Sequence, residues 1–240
     1  MWNLIRSPKW ITLTLLVLIL VPTFKSLSDW QWRRYHARIE FNNQVITATN
    51  MSPVSFEQIA PNGNLLDNKN LWRTVTVTGS FIPNDRYLVR KKSLNSDPGM
   101  WVVNSFRTST GQVITVVRGW TAAGNSAKEN PSLSSLSSET LTLTGRVREI
   151  SPKNLAEPND LPVGQRVGID PKNGSAYLEL INTTPVLNNP EVIPLPMPTL
   201  SEGSHRGYAI QWLIFIVMLI GGYIILLRNE LIQRRELSVV

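Results

Sequence analysis

Two apolar runs bracket this chain, with a stretch of mixed pattern between them. The first, Trp10–Phe24 (WITLTLLVLILVPTF), keeps a helical spacing of apolar residues on through Leu27 and Trp30. The second starts at Tyr208 and continues to Leu227 with almost no polar residue. It spans about twenty positions, enough at roughly 1.5 Å per residue to cross a hydrocarbon core. The pattern predicts a tail over 1–9, a transmembrane helix over 10–27 and an extramembrane domain over 28–206, then a transmembrane helix over 207–227 and a tail over 228–240. Pro22 is expected to kink the first span near its outer end. A basic start, an apolar centre and the small Ser26 and Ser28 also fit a cleaved signal peptide. Apolar spacing that runs past Phe24 into a basic amphipathic helix favours an uncleaved span.

From Trp72 the period changes to two. Val75 and Val77 alternate with Thr74, Thr76 and Thr78, a half-buried strand that Gly79 is expected to end. Further strands are predicted at Arg86–Lys91, Trp101–Thr108, Gln112–Trp120, Thr140–Ile150 and Ser175–Thr183, with a hairpin turn at Ser109–Gly111. Ser55–Gln58, after Pro53, reads as one short helical turn, and Asn125–Ser138 as a polar surface loop. The expected fold is a membrane protein in which two transmembrane α-helices flank a mainly antiparallel β domain, barrel-like and α+β, with little helix of its own.

Charge adds orientation. Arg6 and Lys9 lie before the first span, and Arg228, Arg234 and Arg235 after the second. Short basic segments stay inside, whereas a long intervening domain is exported largely regardless of its charge. Both termini are therefore expected in the cytoplasm and the domain in the periplasm or outside. No Arg- and Ser-rich amphipathic leader precedes the first span, which points to a bacterial cell (inner) membrane. The net charge of +7 is dispersed, so no concentrated basic face suggests nucleic acid. With no cysteine in the chain, disulfides, thiolate metal sites and cysteine nucleophiles are excluded.

His205, Tyr208 and Trp212 stand at i, i+3 and i+7 where the second run begins, and Gln211 joins them in a polar and aromatic cluster. Tyr and Trp favour that depth in any membrane protein, so an interfacial anchor is the plain alternative to a binding site. A neutral imidazole at the bilayer edge also suits axial ligation of a haem iron. Trp30 and Arg34, at i and i+4 where the first helix emerges, suit stacking or ion binding; Arg33, Arg34 or Arg206 could meet carboxylates at headgroup level. Arg118-Gly119-Trp120 closes an apolar strand, where Gly119 could permit a bulge and Trp120 could be core, or the three could form a contact surface. Nucleophile elbows, phosphate loops and metalloprotease motifs are absent, and no carboxylates pair at acid–base spacing, so the chain does not read as an enzyme.

In their order, these pieces resemble the surfeit locus protein 1 family: a span, Trp30-Gln31-Trp32-Arg33-Arg34, a β-rich domain, Arg118-Gly119-Trp120, then His205-Arg206-Gly207-Tyr208-Ala209-Ile210-Gln211-Trp212 entering a second span. Tyr87–Arg90 and Pro98-Gly99 also sit where the family has similar segments. The resemblance implies an assembly factor for haem–copper cytochrome c oxidase that assists delivery of haem a to the largest subunit, alongside other assembly factors and embedded in the lipid bilayer. It implies that His205 is the haem ligand, and Tyr208, Gln211, Trp212, Trp30 and Arg34 are the residues expected around it. A membrane scaffold that stabilises an oxidase intermediate without binding haem is the alternative. Ser28 stands where the family usually has Gly, which predicts looser helix packing there. Ser204 and Arg206 stand beside His205 where Pro and an apolar residue are commoner, which predicts a more polar surround.

Overall fold

The stripe that decides the helices runs from the apolar stretch straight into the polar one. Trp10, Thr14, Val17, Val21, Phe24, Ser28, Gln31, Tyr35, Arg38 and Asn42 recur at alternating steps of four and three, which a helix gathers onto one face. In the computed structural model, which describes residues 7–60, 70–124, 129–151, 158 and 160–237, they lie on one helix, α1 (Pro8–Asn50). Arg6, of the expected basic tail, lies outside the described residues. The helix passes through Pro22 without a break, so the expected kink does not divide it. After the short α2 (Phe56–Ile59) the other long helix is α3 (His205–Leu237), with the same stepped stripe in His205, Ala209, Trp212, Ile216, Leu219 and Tyr223.

The two stripes meet antiparallel. Tyr223 lies edge-on to Trp10 with ring centroids 5.8 Å apart, and its hydroxyl is 2.8 Å from Thr14 Oγ1. Trp212 meets Phe24 at 5.4 Å, and Ser28 Oγ donates to the Ala209 carbonyl at 3.0 Å. Near the far end the Ser201 carbonyl accepts from Arg38 and Asn42 at 3.0 and 3.2 Å. Away from the seam the helices show apolar side chains to their surroundings: Leu18, Ile19 and Val217 are 62–70% exposed. Water disfavours such a continuous apolar surface and hydrocarbon favours it. Both helices are long and apolar enough to cross a membrane. Residues 1–43 with 200–240 form one compact unit and residues 44–199 a second.

The second unit is a small barrel. Its strands are β1 (Val54–Ser55), β2 (Thr74–Leu94), β3 (Asp97–Thr108), β4 (Val113–Ala122), β5 (Leu141–Glu149), β6 (Gln165–Arg166) and β7 (Ala176–Thr184). The order β2-β3-β4-β7-β5 closes because β5 pairs back onto β2. Around that ring the pairing is antiparallel except between β4 and β7, and β1 and β6 add short parallel pairings to β2. Closure removes the sheet edges that would otherwise invite aggregation. Phe56 from α2, with Phe81, Phe106, Leu143 and Leu178, fills the interior.

Two expectations change here. Gly79 does not end a strand. β2 runs on for 21 residues, and Gly79 is glycine because a Cβ there would lie 2.0 Å from the Arg107 carbonyl oxygen of β3. The separate strand expected at Arg86–Lys91 is thus the second half of β2. The β2–β3 link is a two-residue turn at Asn95 and Ser96, both with positive φ (51° and 74°), the geometry that lets a hairpin follow the twist of its strands.

One buried cluster of charge on the barrel is paired. Glu179 is buried, and its Oε1 accepts from Arg146 Nε and Nη2 at 3.0 and 2.6 Å while Oε2 accepts from Arg148 Nη1 at 2.8 Å. Removing one member of such a group strands the others in a poor solvent for charge. Glu179→Gln is expected to cost about 3 kcal/mol in guanidinium unfolding of the full-length, detergent-solubilised protein. A change under about 1 kcal/mol would show that water reaches this cluster.

Candidate functional site

The helix pair brings His205 to Gln31. Both are half-buried seam residues, and His205 Nδ1 lies 2.8 Å from Gln31 Oε1. An amide oxygen only accepts, so with Gln31 presenting Oε1 the proton it meets is on Nδ1, and in that tautomer of the neutral ring Nε2 carries the lone pair. Ser28 and Ala209, one turn along, are 1% and 0% exposed. The serine in place of the expected glycine therefore does not loosen the packing: its Cβ fits against alanine, and its hydroxyl is satisfied by the Ala209 carbonyl. Gln31 and Ser28 are the partners that sequence reasoning left out, and the four-three stripe that contains both was the signal.

Trp212 is in the seam, wedged by Phe24 and Phe215 with centroids 5.4 and 5.7 Å away. The other expected residues are not. Trp30, Arg34, Tyr208 and Gln211 are all exposed, Trp30 by 47% and Tyr208 by 50%. Each stands one position before a seam residue: Trp30 before Gln31, Arg34 before Tyr35, Tyr208 before Ala209, Gln211 before Trp212. In an antiparallel pair, residues one before the seam on either helix turn to the same side. These four thus share one open side of the pair beside His205. Arg206, one after the seam, belongs to the opposite side, as does His36, which stacks on Trp32 at 5.9 Å. The helix carrying His36 runs unbroken to Asn50, so it does not bend back to bring that ring to His205.

A single imidazole could serve an iron group that brings its other ligands with it. No cluster of three metal-ligating side chains forms among the described residues, so a bare ion finds no cage. A porphyrin supplies four equatorial nitrogens itself and asks the protein for an axial base. His205 offers Nε2, while Trp30 and Tyr208 offer exposed rings and Arg34 a cation on the adjoining side.

Arg118, Gly119 and Trp120 lie in β4 of the barrel. The register slips by one between Val103–Val117 and Val102–Gly119, which leaves Arg118 as the extra residue of a bulge. A Cβ on Gly119, whose φ is 155°, would stand 2.3 Å from the Ile193 carbonyl oxygen. Trp120 is buried; its ring lies on Gly99, its Nε1 donates to the Lys92 carbonyl at 2.9 Å, and its backbone exchanges two 2.7 Å hydrogen bonds with Ile193. Gly119 and Trp120 therefore hold the segment around Val192–Ile193 down on the barrel. Arg118 is 3% exposed, and burial, with Arg86 nearby, lowers its guanidinium to about 10 while Glu191 opposes the shift.

The profile of the SURF1 family matches residues 18–217. The chain is similar to a SURF1-like protein of Mycobacterium tuberculosis, 24% identical over 223 residues that cover 88% of this chain and 80% of that one. It is also similar to the SURF1-like protein of Rickettsia prowazekii, 27% identical over 215 residues that cover 83% of each. The chain belongs to the SURF1 family.

Trp120→Ala removes a buried aromatic and is expected to cost about 3–5 kcal/mol, seen as a lower yield of folded protein. Gly119→Val should have the same effect by driving the Ile193 segment away. Normal levels of folded protein for both, together with lost function, would make the motif a contact surface instead.

Proposed function

We propose that this member of the SURF1 family is a membrane-anchored, non-enzymatic factor in the assembly of haem–copper cytochrome c oxidase, and that it holds haem a on His205 for delivery to the largest subunit. Assembly of an oxidase comes with the family. The haem reading rests on the 2.8 Å contact between Gln31 Oε1 and His205 Nδ1, which orients the imidazole and leaves its other nitrogen available. The cargo, when bound, brings the iron that this nitrogen meets and two carboxylates that a cation can meet. The residues of the chain do the rest. Gln31 sets the tautomer, Trp30 and Tyr208 give apolar faces to a flat ring, Arg34 answers an acidic edge, and Trp212 with Phe24 keeps the helices in register. Glu, His or Asp in catalytic pairings has no part in it.

Protein purified in neutral detergent from cells that make haem a is expected to carry a haem absorption spectrum, and His205→Ala to lose it with protein level unchanged. Gln31→Leu should leave the protein abundant but shift or weaken the spectrum, since the imidazole loses its orienting partner. Full haem content in His205→Ala would sink the ligand assignment and leave a scaffold that stabilises an oxidase intermediate as the better reading.

The same reading makes 10–27 and 207–227 the spans of a bacterial inner membrane, with both tails cytoplasmic and 28–206 outside. It is supported by Lys9 before the first span and by Arg228, Arg234 and Arg235 after the second. Reporter fusions at Gly124 and at the C-terminus should report outside and inside respectively. The same side for both would overturn it.

A further inference from the structure

Arg118 is the barrel's exceptional cation. Arg146 and Arg148 share Glu179, but no carboxylate among the described residues lies within ion-pair distance of Arg118. Its single hydrogen-bond contact among the described residues is a long one, 3.5 Å from Nη1 to Asn104 Oδ1, and the Phe81 ring lies 5.8 Å away. Glu191, the acid whose charge acts on it, is engaged by Ser134, whose hydrogen bonds hold its carboxyl down near 2 with the Arg118 charge adding to the shift. A guanidinium carries five N–H donors, and a buried one with so little to bond is costly to keep.

What it faces is a cavity of about 180 Å³. Leu180, Val186, Leu187 and Val192 give the wall an aliphatic part, and Asn182, Thr183 and Asn189 a polar one. The side-chain oxygen of Asn189 is enclosed and meets no described donor; turned over, the same amide presents N–H. The bulge that turns Arg118 inward and the Gly119 and Trp120 contacts that pin the Val192–Ile193 segment over it belong to one three-residue stretch. The segment is a wall of the cavity, so the motif builds the cavity as well as lining it.

We infer that this cavity is a binding site for a carboxylate carried on a short apolar arm, with Arg118 taking the acid and the aliphatic wall the arm. One guanidinium matches one carboxylate charge for charge and in fork geometry. A phosphate dianion would find no second cation among the lining residues. Burial lets the guanidinium pair strongly while keeping it charged at neutral pH, and the site is independent of what His205 holds.

The test uses the full-length protein in neutral detergent, following the thermal midpoint of tryptophan fluorescence. Sodium hexanoate is expected to raise the midpoint by about 5 °C near saturation, and hexanol, its uncharged counterpart, to leave it unchanged. Arg118→Gln should abolish the increment. Val186→Trp, at a rim position that is 86% exposed, should also abolish it by filling the mouth with Arg118 intact, so the result does not depend on how well the Arg118 variant folds. Trileucine with a free C-terminus and with an amidated one separates two sources of the same acid. A rise with hexanoate and with the free peptide supports a small-acid site open to either, and a rise with the free peptide alone supports capture of a chain terminus. The inference is overturned if neither acid raises the midpoint, if hexanol matches hexanoate, or if the increment survives in both variants.

Discussion

Ser28 and Ala209 are the most deeply buried residues of the seam between the long helices, and the rest of the seam is possible because both residues are small. A larger side chain at either position would part the helices and strand every polar residue between them. Thr14 would lose Tyr223, Gln31 would lose His205, and Ser201 would lose Arg38 and Asn42. In hydrocarbon or at its edge such groups have few other partners, so close approach and polar pairing reinforce each other. The seam thus turns a requirement of solvation into a fixed geometry for one imidazole.

The barrel meets the same requirement in another way. Its backbone groups are satisfied by closure, and most of its buried charge by the two arginines gathered on Glu179. Arg118 breaks that pattern in a stretch where the strand is also bulged and a glycine is forced by a crossing carbonyl. Departures of this kind cluster where a protein uses a residue for something besides folding.

Much of this was legible in the sequence because it rests on period. Steps of 3.6 and of two marked both helices and most strands, from Val75 and Val77 to Ser175–Thr183. What escaped depends on distance. Gly79 in a strand pattern looks like a stop, and only the Arg107 carbonyl beside it shows that the strand continues past it. Asn95 and Ser96 turn because both accept positive φ, which a serine does not advertise. The partner of His205 was hidden by a change of solvent: the stripe continues from Phe24 to Gln31 and Tyr35, but its residues cease to be apolar, so hydrophobicity stops reporting it. The prolines after Thr184 announced extended chain, not that it would cross Gly119 and roof a cavity.

Gln31 itself deserves comparison with the alternative most often found behind a ligating histidine, a carboxylate. A carboxylate on Nδ1 draws the ring proton toward itself and makes Nε2 a stronger base. It would also bring a full charge to a half-buried seam that continues into an apolar run, where desolvation is expensive. An amide oxygen fixes the same tautomer at 2.8 Å without that charge, and strengthens the imidazole less. If His205 holds haem a, the consequence is a single base of modest strength beside an open side of a helix pair, with no second histidine brought to it. Such a site favours holding over keeping. A site that must give its cargo to another protein needs that balance, and here it follows from the choice of glutamine at one seam position.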